Sequence, residues 1–98
     1  MIREILLTES IEGTYSVYTV SLFIDGANSM LDEDKQKLKK LLEEDGFQYN
    51  EQSKGNLIYA VKEYKYRDEA SKALSWIENI TYPMVENYKK EFREEYSR

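Results

Sequence analysis

Six carboxylates in two clusters, Asp32–Glu33–Asp34 and Glu43–Glu44–Asp45, are the first groups in this sequence to test for chemistry. A hard cation needs several oxygens converging on one point. Neighbouring residues on a helix point in different directions. The two clusters also sit at opposite ends of one predicted helix, about 15 Å apart at about 1.5 Å per residue. They read as the solvated ends of that helix. No segment has the spacing of a calcium loop. No metal and no cofactor is expected.

Acid–base and nucleophilic chemistry lack their usual parts. The chain has no histidine, the commonest general base near neutral pH, and no cysteine. Thiol redox chemistry, zinc–thiolate sites and a disulfide scaffold are therefore excluded. Serines and threonines have no imidazole to activate them, and no lysine is marked by a local motif. Gly26 and Gly55 belong to turns, and no glycine-rich phosphate cradle is present. No catalytic residue is assigned, and the chain is read as a non-enzyme.

Aromatic and apolar residues offer binding in place of catalysis. Tyr15, Tyr18, Tyr59, Tyr64 and Tyr66, with Phe23 and Lys62, could stack single-stranded nucleic acid or a small ligand on a sheet. Aromatics are equally common in ordinary strands. A net charge of −5 disfavours direct nucleic-acid binding, which needs a basic face. The same charge suits an acidic surface aimed at a basic partner.

The longest periodic stretch runs from Arg67 to Tyr96. Ala70, Ala73, Leu74, Ile77, Met84, Val85, Tyr88 and Phe92 form one helical stripe, widened by Trp76 and Ile80. Asp68 can cap its start. Pro83 removes one amide donor and crowds the carbonyl four residues back, which predicts a kink or a junction of two helices at Thr81–Pro83. At about 1.5 Å per residue this helix is longer than any strand the chain can build. Its distal half must fold back, hang free or pack on another molecule. An exposed apolar strip of that kind marks an interface.

The elements that position these groups follow from alternation and turn residues. Ile2–Leu7 reads as a first strand and Thr8–Thr14 as a loop. Tyr15–Ile24 is the strongest strand, with Tyr18, Val20, Leu22 and Ile24 on one face and Val17, Thr19, Ser21 and Phe23 on the other, more polar one. A helix follows from about Leu31 to Asp45, with Ser29 or Asp32 as its cap and a narrow apolar face of Leu31, Leu38, Leu41 and Leu42. Gly46 suits the left-handed closing position, with Phe47 packing back. Phe47–Glu51 is a candidate third strand, and Leu57–Tyr66 a fourth.

The fold class predicted is α+β: a two-layer, antiparallel sheet of three or four strands with two helices on one face, in the order ββαββα or ββαβα. The four-stranded version is a ferredoxin-like domain whose last strand has moved to the front, an analogy of topology that carries no function. Ninety-eight residues make one domain, 1–98. No apolar run approaches the roughly 20 residues that span a bilayer, and the first residues do not resemble a secretory signal. A soluble, cytoplasmic protein is expected.

The function expected is a non-enzymatic protein-binding module that works by covering a surface on a host or cognate protein with a basic surface. Asp32, Glu33, Asp34, Met84, Tyr88, Phe92 and Tyr96 are its candidate contacts. A compact acidic chain of this kind suits an inhibitor that a phage or mobile element directs against a host defence nuclease, in the manner of an anti-CRISPR protein. The alternatives are a homo-oligomeric structural or assembly protein, paired as a homodimer through the C-terminal helix, and a small-ligand or single-stranded nucleic-acid binder on the tyrosine face.

Overall fold

The first two strands, β1 (Ile2–Glu12) and β2 (Tyr15–Asp25), form one hairpin in unbroken register from Ile2 opposite Asp25 to Glu12 opposite Tyr15. A computed structural model describes residues 1–96 of the chain, with side chains described as far as Met84. The expected loop at Thr8–Thr14 shrinks to Gly13 and Thr14. Thr8–Glu12 is too polar to read as a core strand, yet it pairs with the outer half of β2 because the turn at Gly13 closes it. Gly13 has φ +64° while Thr14 does not enter the positive region, the pattern of a type II′ turn that matches strand twist.

Helix α1 (Asp32–Glu44) follows a short 3₁₀ turn at Ala27–Ser29. Leu31 occupies the cap position and no side chain caps the helix, so neither Ser29 nor Asp32 has the role expected of it. Leu38 and Leu42 are buried, Leu41 is half-buried and Leu31 is exposed. Gly46 adopts φ +93°, and the Phe47 amide donates to the Leu42 carbonyl at 2.9 Å, which drives the Phe47 ring into the core as expected.

Strand β3 (Gln48–Gln52) forms, and β4 (Leu57–Tyr64) ends two residues before the expected Tyr66. The four strands make one antiparallel sheet in the order β1-β2-β4-β3. This is the ferredoxin-like strand order with the last strand first. The fold is α+β, with two helices on the sheet.

Helix α2 spans Arg67–Tyr96 with Pro83 inside it. The kink or junction expected at Thr81–Pro83 depends on the half beyond it, whose side chains past Met84 lie outside the described residues. Asp68 sits within the first turn rather than capping it. The core joins Val20, Leu22 and Ile24 of β2, Ile58 and Ala60 of β4, Leu38 and Leu42 of α1, and Ala70, Ala73, Ile77 and Met84 of α2. Leu74 is only half-buried, so the buried stripe is rotated toward Trp76 and Ile80. Trp76 meets Phe47 at a ring-centroid distance of 6.5 Å. Thr81, fully buried, takes a place in the stripe that the apolar pattern did not assign. Its hydroxyl donates to the Ile77 carbonyl (2.7 Å) and accepts from Arg3 Nη1 (3.1 Å), which ties α2 to the edge strand β1.

Candidate protein-binding surface

Alternation in the strands decides what the sheet shows to either side. The core uses the even-numbered residues of β2 and β4. Directly paired residues share a face. The opposite face therefore carries Ile2, Glu4, Leu6, Thr8, Ser10 and Glu12 of β1, and Tyr15, Val17, Thr19, Ser21, Phe23 and Asp25 of β2. It also carries Leu57, Tyr59, Val61 and Glu63 of β4, and Gln48, Asn50 and Gln52 of β3. Both helices contribute to the core on the other side, and on this face only Val17, at 9% exposed, is buried.

The centre of the open face is apolar. Phe23 pairs with both Glu4 and Tyr59, while Ser21 pairs with Leu6 and Val61. Leu6 is 53% exposed and Tyr59 is 38% exposed. The charges on this face have one sign. Glu4, Glu12, Asp25 and Glu63 lie on it, while Arg3 and Lys62, the cationic residues of the four strands, lie on the other face. An apolar centre with carboxylates around it resembles the core and rim of a protein interface.

The acidic turn of α1 has a different setting. Asp32 and Glu33 are exposed and Asp34 is half-buried. Asp32 shares a groove with Lys35, Lys39 and Glu51, so its field is partly cancelled. Lys35 is itself engaged, donating to the Gly55 carbonyl at 3.0 Å. Met84, expected on an exposed strip, is 7% exposed and belongs to the core. It completes the stripe begun by Ala70, Ala73 and Ile77. The side chains of Tyr88, Phe92 and Tyr96 lie outside the described residues.

The tyrosine platform does not assemble on one face. Tyr15, Tyr59 and Phe23 are on the open side, whereas Tyr18, Lys62 and Tyr64 point to the helix side. Tyr66 follows β4 and is exposed. Tyr18 donates to Glu9 Oε1 at 3.3 Å, and Tyr49 to Glu51 Oε1 at 3.0 Å. Burial, then the hydrogen bond and charge of Glu51, hold the Tyr49 phenol well above its ordinary range.

A groove of mixed chemistry lies between β4 and α2, lined by Asp45, Lys62, Tyr64, Glu69, Lys72 and Trp76. Its lysine is already committed. Lys62 donates to the Asp45 carbonyl, lies 3.8 Å from Asp45 Oδ2, and sits 5.0 Å from the Tyr64 ring centroid. The Tyr64 hydroxyl is occluded and has no partner among the described residues. Burial, with Asp45 and Glu69 nearby, pushes its pKa up to about 12. A protonated phenol and an ion-paired lysine do not form a nucleophile and base at neutral pH. No group of three acidic, histidine or cysteine side chains able to hold a metal occurs among the described residues. No helix among them is long and apolar enough to cross a membrane.

The open-face residues were partly legible in the sequence. Phe23 lies on the more polar side of β2, as alternation predicts. The union of the open-face residues into one acidic face needed the pairing of β2 with β4, which alternation within a strand does not reveal. Comparison of the chain with family models, with curated proteins and with solved structures finds no match.

Proposed function

We propose that this chain is a non-enzymatic protein-binding module that covers a basic surface of its partner with the open face of its sheet. The observation that carries this reading is the segregation of charge on that face. Four carboxylates, Glu4, Glu12, Asp25 and Glu63, share the face with an exposed apolar centre to which no lysine or arginine of the strands contributes. A surface of this kind attracts a basic partner over distance and gains contact area at Leu6, Phe23 and Tyr59 once docked. It repels a phosphate backbone, which argues against the nucleic-acid alternative. In its narrower form the partner is a host defence nuclease, whose nucleic-acid groove is basic by necessity, and the chain is a phage or mobile-element inhibitor.

The test is capture from nuclease-treated bacterial lysate with the wild-type chain and two variants. Glu4→Lys/Glu63→Lys reverses the open face, and Asp32→Lys/Glu33→Lys reverses the first turn of α1. One stoichiometric protein, held by the wild type and the α1 variant and lost from the open-face variant, supports the reading. Its release should also track salt, because exposed charges are screened within about 8–10 Å at physiological ionic strength. Capture that ignores the open-face reversal refutes it.

A further inference from the structure

The free edge of the sheet at β1 carries a second surface. β1 pairs with β2 on one side and has no strand on the other. A long open edge is a template for another chain, and proteins blunt such edges with proline, charged side chains, bulges or short length. β1 has 11 residues, no proline and an unbroken register, and its charges, Arg3, Glu4, Glu9 and Glu12, leave Ile5, Leu6 and Leu7 uncharged at its middle. The opposite edge, β3, has only 5 residues.

The hairpin fixes which backbone groups face outward. Glu12 and Tyr15 close a two-residue turn and exchange both their hydrogen bonds. Alternation then turns Glu4, Leu6, Thr8 and Ser10 toward β2, and the amides and carbonyls of Arg3, Ile5, Leu7 and Glu9 outward. Among the described residues no backbone hydrogen bond from outside the hairpin reaches these outward groups. The core is also open along this margin. Ile5 and Leu7 pack against it but remain half-exposed. Leu74 is half-exposed on the flank of α2 that carries Glu78 and Thr81, the two residues Arg3 reaches.

We propose that a second copy of this chain pairs antiparallel along β1, with Leu6 opposite Leu6 of the partner subunit, joining two four-stranded sheets into one. In this register Arg3 faces Glu9 of the partner subunit, Ile5 faces the partner's Leu7, and Glu4 faces the partner's Thr8, each twice by symmetry. Opposite charges and apolar side chains placed directly across a strand pair both favour pairing. The outward backbone groups meet one another in this register. Centring the axis on Ile5 would set Arg3 against the partner's Leu7 and Glu4 against the partner's Leu6. Centring it on Leu7 would set Ile5 against the partner's Glu9. The charged ends and apolar middle of β1 are thus self-complementary about Leu6. The pairing is independent of the open-face reading, because that face stays exposed in the dimer.

Sedimentation equilibrium of the full chain tests it. The wild type is expected at twice the monomer mass at about 200 µM. Glu9→Arg, at an exposed residue, opposes like charges at both ends and should weaken association about tenfold. Arg3→Glu should do the same. An equimolar mixture of the two variants should regain the dimer, because each arginine then faces a glutamate. Amide exchange at Arg3, Ile5, Leu7 and Glu9 should slow with concentration in the wild type, and this readout together with Glu9→Arg stands should Arg3→Glu fail to fold. A monomeric wild type at that concentration overturns the proposal. A dimer unaffected by either variant, or folded variants that do not recombine, overturns it too.

Discussion

Ile77 and Leu74 are three residues apart on α2, and each loses three carbons on truncation to alanine. The structure predicts that the two losses differ. Ile77 is fully buried among β2, β4 and α2. At about 0.8 kcal/mol per buried carbon its transfer cost is about 2.4 kcal/mol. A cavity adds to this, within a usual range of about 2–5 kcal/mol, and the better helix propensity of alanine returns about 0.5 kcal/mol. The net for Ile77→Ala is about 2–4 kcal/mol. Leu74 is half-buried at the β1 margin, where solvent fills the vacated space. Half the transfer cost and no sealed cavity give about 1 kcal/mol for Leu74→Ala. Urea unfolding followed by circular dichroism, at low micromolar concentration so that self-association contributes little, measures both. In thermal melts a 2 kcal/mol gap corresponds to a Tm difference of roughly 8–16 °C for a chain of this size. Equal costs, or a larger cost at Leu74, would refute the rotation of the buried stripe toward Trp76 and Ile80.

Tyr64→Phe should stabilise the fold by about 1 kcal/mol, because it removes an occluded hydroxyl with no partner among the described residues; a lower urea midpoint would show that the hydroxyl is satisfied. The wild type should lose stability in alkali. Its folded state keeps the Tyr64 proton up to about pH 12, above the ordinary phenol value of 10.0, so it binds more protons than the unfolded chain between the two. Stability is therefore full below pH 10 and falls as pH rises toward 12, with Tyr49 acting in the same direction. Midpoints at increasing pH should fall less steeply in Tyr64→Phe than in the wild type. Gly46→Ala should cost about 1–2 kcal/mol from left-handed backbone alone, since the added Cβ meets only the flexible end of Lys62, at 3.4 Å. An unchanged melting temperature there would mean that the turn after α1 adopts another conformation.

The architecture was legible because each element carries its own local signal. Alternation marked β2 and β4, Gly46 and Phe47 marked the end of α1, and the stripe in Arg67–Tyr96 marked α2. The errors arose where a local signal was overridden by pairing or packing. Thr8–Glu12 looked like a loop by polarity, but β2 is long enough to hold it as strand. Leu74 fitted the helical period, but the flank bearing Trp76 and Ile80 is the one that packs against the core. Met84 looked available because it lies beyond the reach of a short strand, and it is in the core. The open face was the least legible part. Asp32–Asp34 are neighbours in sequence, whereas Glu4, Asp25 and Glu63 come to one face only through strand pairing.

The parity of β1 explains how one strand can serve two surfaces. Even-numbered residues point their side chains to the open face and their backbone groups toward β2. Odd-numbered residues point their side chains under α2 and their backbone groups to the free edge. In the function proposed, recognition of a basic partner draws on Glu4 and Leu6, while the proposed pairing with a second copy draws on Arg3, Ile5, Leu7 and Glu9. Leu6 belongs to both, since it lies on the open face and at the centre of the symmetric register. Two open faces would then become continuous across the joined sheets, doubling the row of carboxylates presented to one partner. A bivalent acidic face gains affinity by effective concentration without any new kind of contact. The two surfaces are therefore separable by mutation at single residues of opposite parity, yet reinforcing when both are used.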